Sequence, residues 1–177
     1  LTGNLVIPNG VTSIGEATFY ECYSLTGNLV IPDSVISIGN SAFSGCNGLS
    51  GNLVIPNGVT SIGDKAFQNC RGFTGELIIG NSVTSIGKSA FLTCNGLKGN
   101  LVIPDSVISI GDMAFQSCRG FTGELIIGNS VTSIGKYAFG YCSGLTRLIM
   151  GDSVTTIGDY TFSDCIRMTG NVKIPET

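Results

Sequence analysis

Apolar residues fall in short runs separated by turn residues along the whole chain, and each run has its own period. Residues 25–48 read LTGNLVIPDSVISIGNSAFSGCNG. In NLVIP the sides alternate, Leu29 and Ile31 on one and Asn28 and Val30 on the other, which predicts a strand. Pro32 ends it for want of a ladder amide, and Asp33-Ser34 supplies turn residues. The period then changes. Ile38, Ala42 and Cys46 stand at i, i+4 and i+8 with Phe43 beside them, which predicts a short helical or 3-10 turn facing inward. Asn47-Gly48 turns the chain back toward the next leucine.

This pattern repeats from end to end. Cys22, Cys46, Cys70, Cys94, Cys118 and Cys142 are 24 residues apart, and Cys165 follows after 23. Phe19, Phe43, Phe67, Phe91, Phe115, Phe139 and Phe162 keep the same beat, as do the Ile-Gly pairs beginning at Ile14, Ile38, Ile62, Ile86, Ile110, Ile134 and Ile157. The segment CRGFTGELIIGNSVTSIGK occurs letter for letter at 70–88 and 118–136, two units apart, which points to duplication of a two-unit block. A unit in the twenties is too small to bury its own apolar face and stacks on its neighbours. Residues 1–177 therefore predict a single solenoid of seven nearly complete units, with a partial eighth from Met168 and no linker.

The shortened unit is the most informative. There LTGNLVIP becomes LTRLIMG, so that Leu145-x-x-Leu148-x-Met150 fits the L-x-x-L-x-L pattern of leucine-rich repeats. The other units carry one more residue in the TGN or TGE segment, where a bulge is expected. With its VxxIG, AFxxC and LxxxLxI elements in register, the chain resembles the BspA-like leucine-rich repeats of bacterial and protist surface proteins. The resemblance implies a leucine-rich-repeat solenoid, an α/β repeat with a parallel β-sheet on one face and short helical or 3-10 turns on the other. It also implies a cell-surface or secreted protein-interaction module that adheres to host proteins, matrix proteins or other cells. A structural spacer, holding another domain away from a cell envelope, is the alternative that the near-identity of the units supports.

Stacking places equivalent residues in rows about 4.8 Å apart. The rows of Leu29, Ile31, Val35, Ile38 and Phe43 should form the core. The cysteine row invites disulfides or a metal, but seven is odd, the row spacing suits neither a disulfide nor converging tetrahedral ligands, and a buried apolar role is expected. The glycine of each Ile-Gly pair either takes a backbone angle that other residues resist or admits close packing; the GxxxxGK[ST] and GxGxxG contexts of a phosphate cradle do not occur. Asn9, Asp33, Asn57, Asn81, Asp105, Asn129 and Asp152 form a polar row after the strands, read as turn chemistry rather than calcium ligation.

Composition narrows the function. The chain has no His, nine basic residues scattered singly and a net charge of −3, which argues against nucleic acid. With no clustered carboxylates and no nucleophile elbow either, an enzyme is not expected, nor a cofactor or bound metal. No apolar run approaches 18 residues, so membrane insertion is not expected. The chain starts inside a repeat and neither end has a polar cap, so a longer parent protein or end-to-end self-association is expected.

Two surfaces are candidates for binding a protein ligand or a glycan. The outward strand positions give a polar row, Asn28, Asn52, Glu76, Asn100, Glu124 and Arg147, beside an apolar one, Val30, Val54, Ile78, Val102, Ile126 and Ile149. A β-branched stripe facing solvent marks an interaction site or reflects strand propensity alone. On the opposite ridge, Tyr137, Tyr141 and Tyr160 form a candidate aromatic patch near the C-terminal end.

Overall fold

The computed structural model describes residues 1–169. Its most regular feature is a parallel sheet of seven two-residue strands: Ser13–Ile14, Ser37–Ile38, Ser61–Ile62, Ser85–Ile86, Ser109–Ile110, Ser133–Ile134 and Thr156–Ile157. Each serine pairs with the serine of the next unit and each isoleucine with the next isoleucine, ending at Thr156 and Ile157. The sequence pattern had assigned this stretch to a helical limb. It is the spine of a parallel β-solenoid.

The LxI segments form the second wall, but in pieces rather than as one sheet. Gly3–Asn4, Leu25–Asn28 and Leu49–Ser50 make one three-stranded ladder, and Leu101–Ile103, Glu124–Ile127 and Arg147–Met150 another. Leu53–Ile55 pairs with Leu77–Ile79 between them. The extra residue accounts for part of this: Gly3, Gly27, Gly51 and Gly99 take φ of 75–87°, which bends the chain just before the LxI segment in those units. Where that residue is missing, Arg147–Met150 pairs along four consecutive positions.

The expected helical or 3-10 face is replaced by a ladder of turns; no helix occurs among the described residues. In residues 39–46 the amides of Ala42, Ser44 and Cys46 donate three residues back, to Gly39, Ser41 and Phe43. The alternate amides leave the unit altogether: Ser41 donates to the Asp64 carbonyl (2.7 Å), Phe43 to Ala66 (2.8 Å) and Gly45 to Gln68 (2.8 Å). Two left-handed residues per unit make this possible, in one row from Ala17 through Lys65 to Tyr160 and in another from Glu21 through Asn69 to Asp164. Such residues interrupt a right-handed helix and swing every second amide toward the neighbouring unit.

Between these walls lies one continuous core running from Ile14 to Val154. Phe43, Phe67, Phe91, Phe115 and Phe139 are fully buried, and from Phe19 to Phe162 the rings stack nearly parallel at centroid spacings of 5.0–5.7 Å. The Ile-Gly glycine is settled by close approach. None of Gly39, Gly63, Gly87, Gly111 and Gly135 has positive φ, and a Cβ on Gly87 would lie 2.6 Å from the Gly63 carbonyl carbon and the Asp64 nitrogen.

Candidate interaction surfaces

Side chains that face out from the LxI wall are placed by strand alternation. Leu53 and Ile55 are buried, so Val54 between them must face solvent. The same holds for Ile78 and Val102, and parallel register sets Val54 beside Ile78, Val102 beside Ile126 and Ile126 beside Ile149. Val30, Val54, Ile78, Val102 and Ile149 are exposed, from 67% at Val30 to 39% at Ile149, and Ile126 is half-buried. Ile78 stands between two shallow depressions. One, of about 340 Å³, is lined by Glu76, Asn100, Val102 and Pro104; the other, of about 360 Å³, by Val54, Pro56, Asn57 and Gly80. The first sits where the ladder is interrupted between Leu77–Ile79 and Leu101–Ile103.

The polar row beside the stripe has structural work of its own. Asn52 Oδ1 accepts the Glu76 amide (2.9 Å), and Asn100 Oδ1 accepts the Glu124 amide (2.9 Å). Each side chain thus holds the backbone of the following unit. Glu124 and Arg147 form an exposed ion pair at 3.3 Å, an arrangement that contributes about 0–1 kcal/mol. Asn28 is exposed at the end of its strand. The turn row behaves similarly, Asn57 and Asp105 accepting the amides of Asn81 and Asn129, so these carboxylates and amides serve the stack. No grouping of three or more His, Cys, Asp or Glu suited to a metal occurs among the described residues.

On the turn ridge, two of the three tyrosines meet. The rings of Tyr137 and Tyr160 stack at 4.9 Å, and the Lys136 ammonium lies 5.7 and 5.9 Å from their centroids. Tyr141 is exposed but joins no ring stack among the described residues.

The cysteines are reduced, buried from Cys46 to Cys142 and half-buried at Cys22 and Cys165, and from Cys46 onward their thiols are hydrogen-bond donors. Cys94 Sγ donates to the Phe67 carbonyl (2.9 Å) and Cys118 Sγ to the Phe91 carbonyl (3.0 Å); Cys46, Cys70, Cys142 and Cys165 repeat the contact. Burial pushes these thiols up, Cys118 to about 12 and Cys94 well above 9.0. They are protonated at neutral pH and far from nucleophilic.

Sequence reasoning passed over a polar cleft at the N-terminal end of the ridge. Tyr20, Glu21 and Tyr23 line one side and Asn47, Gln68 and Arg71 the other, around a volume of about 410 Å³. The signal was present as a departure from the repeat, since no other unit has two tyrosines flanking its Glu-Cys positions.

Comparison with known proteins agrees with the geometry. A family model described as "BspA type Leucine rich repeat region (6 copies)" matches residues 2–122 and 86–177. No curated protein matches the chain. Among solved structures, the chain is similar to the T. pallidum leucine-rich repeat protein TpLRR, at 29% identity and a TM-score of 0.82, covering 94% of this chain and 78% of that one. It is also similar to a leucine-rich cell surface protein from Faecalibacterium prausnitzii A2-165, at 23% identity, 96% and 63% coverage and a TM-score of 0.46. A third match is a leucine-rich repeat protein from Bacteroides ovatus ATCC 8483, at 22% identity, 99% and 75% coverage and a TM-score of 0.36.

Proposed function

The chain belongs to the BspA-type leucine-rich repeat family, and from that premise we propose that it is a surface-displayed or secreted interaction module whose LxI face adheres to a protein partner, a host or extracellular-matrix protein or the surface of another cell. The observation that carries this reading is the exposed stripe through Val54, Ile78 and Val102. Aliphatic side chains in register on a rigid wall offer a partner apolar area at little ordering cost, and contiguous apolar patches of this kind mark interaction sites. The two depressions beside Ile78 suit insertion of a partner's anchor side chain. In this reading residues 1–177 act as one array of seven nearly complete units and a partial eighth.

The test is binding of the purified chain to immobilised extracellular-matrix proteins, beside the double variant Val54→Lys/Val102→Lys. Both positions are exposed, so the variant keeps its fold, and saturable binding is expected to fall at least tenfold. Unchanged binding by the double variant removes the strand face from the mechanism. Absence of binding by either protein leaves a rigid spacer, the role favoured by near-identical units.

A further inference from the structure

The cleft at Tyr20, Glu21 and Tyr23 departs from the repeat in several residues at once, and the departures fit one another. At the position before each cysteine the chain carries Glu21, Gly45, Asn69, Thr93, Ser117, Tyr141 and Asp164, all with positive φ. Gly45 is the single glycine of that row. A Cβ there would sit 3.3 Å from Tyr23 Cε1 and Glu21 Cα, tighter than ordinary contact, so the glycine lets the Tyr23 ring pack there without a shift. Backbone bonds fix the floor, Glu21 donating to the Ser44 carbonyl (2.7 Å) and Gly45 to that of Gln68 (2.8 Å). Asn47 Oδ1 accepts the Arg71 amide (3.4 Å), tying the far wall to the middle unit.

The chemistry of the walls is specific. Tyr20 and Tyr23 are exposed by 51% and 54%, so their rings are open to a ligand. Hydrogen bonding and charge from Glu21 raise the Tyr20 phenol; burial, then the same carboxylate, raises that of Tyr23. The two phenols therefore stay protonated donors around one carboxylate. Across the cleft, Gln68 and Arg71 add planar donors and acceptors, and neither Glu21 nor Arg71 forms an ion pair among the described residues. The local charges cancel, which favours a neutral ligand.

From this arrangement we infer that the cleft is a binding site for a neutral saccharide of about two sugar rings, separate from the strand face. A pyranose has one apolar C–H face, which suits a tyrosine ring, and a rim of vicinal hydroxyls, which suits carboxylate, amide and guanidinium groups that each offer two polar atoms in a plane. The duplicated block supplies an internal control. Gln116 and Arg119 repeat Gln68 and Arg71, and Asn95 repeats Asn47, but Leu92 and Thr93 replace Ser44 and Gly45, and the tyrosines are missing. The second copy has the amides and the guanidinium without the aromatic wall or the open floor.

The experiment is a 15N-resolved NMR titration of the full chain with lactose, cellobiose and maltose, and with sialyllactose as the acidic comparison. At least one neutral disaccharide is expected to shift the amides of residues 20–23, 44–47 and 68–71 saturably, with residues 92–95 and 116–119 unmoved. Tyr23→Ala and Gly45→Asn each weaken that binding about 5- to 10-fold, and Tyr160→Ala leaves it unchanged. Gly45→Asn keeps the fold because Asn69 occupies the same backbone conformation one unit on. No saturable shifts with any neutral sugar, equal shifts at residues 116–119, tighter binding of sialyllactose than of lactose, or full affinity in both variants would each overturn the inference.

Discussion

Raising the pH should unfold this protein through its cysteines, by an amount that follows from their burial. Cys70, Cys94, Cys118 and Cys142 are completely buried and donate their thiol protons to phenylalanine carbonyls of the preceding unit. Desolvation raises all four above the ordinary value of 9.0, Cys118 to about 12 and Cys70, Cys94 and Cys142 in the same direction. The folded state therefore keeps protons that the unfolded chain releases near pH 9. Folding stability is whole below that pH and falls as pH rises through and beyond it, because the folded state then binds more protons. Between pH 8 and pH 10 each such thiol removes on the order of 1 kcal/mol, and four together roughly 4–6 kcal/mol, a large part of the roughly 5–15 kcal/mol that holds a domain together. Urea titrations in the presence of a phosphine reductant at pH 8, 9 and 10 measure this. With a slope of about 2 kcal/mol per molar, the midpoint should drop by about 2–3 M. Tyrosines and lysines also titrate toward pH 10, so the decisive comparison is Cys94→Ala/Cys118→Ala. The two substitutions lower stability at every pH, but should shrink the difference between pH 8 and pH 10 by the share of two thiols. A pH dependence identical to that of the parent would refute the reasoning and show that the thiols are not held protonated by the fold.

Phe91→Ala removes a fully buried ring stacked at 5.4 Å on Phe67 and 5.0 Å on Phe115, and should cost about 3–5 kcal/mol in the same titration; a midpoint close to the parent's would take the phenylalanine row out of the core. Gly87→Ala tests close approach against conformational freedom. In open space this change would stabilise by about 0.4–1 kcal/mol, but with backbone atoms 2.6 Å from the new Cβ a loss of about 1–3 kcal/mol or more is expected, read from the melting temperature and urea midpoint. Lys65→Gly has the opposite sign. Lys65 is exposed at φ 57°, and relief of about 1–2 kcal/mol of left-handed strain outweighs the 0.5–1 kcal/mol entropy cost of glycine; a helical turn there would instead be weakened by about 1 kcal/mol.

Much of the architecture follows from the sequence alone. A 24-residue beat in cysteine, phenylalanine and Ile-Gly dictates a stack, because units this small bury apolar surface only against copies of themselves. Alternation in NLVIP assigns Leu29 and Ile31 to the interior and Val30 to the exterior, and the burial of these residues follows it. Periodicity misleads at VISIGNSAFSGC. Ile38, Ala42, Phe43 and Cys46 do point inward, as an i, i+4, i+8 helix face would. A ladder of turns puts the same positions inside, and what separates the two is where the amides go. That choice is not local: the Ser41, Phe43 and Gly45 amides find carbonyls 23 residues further along the chain, which exist as partners only once the next unit is stacked. The candidate surfaces divide the same way. Val54, Ile78 and Val102 could be read as outward-facing from alternation. Tyr23 over Gly45 with Arg71 opposite could not, because three units separate in sequence meet there only through the repeat's 24-residue register. The sequence determined the unit, its period and its inward residues. The tertiary stack decided the backbone of the turns and the company each exposed side chain keeps, because both depend on hydrogen bonds and contacts between units rather than within one.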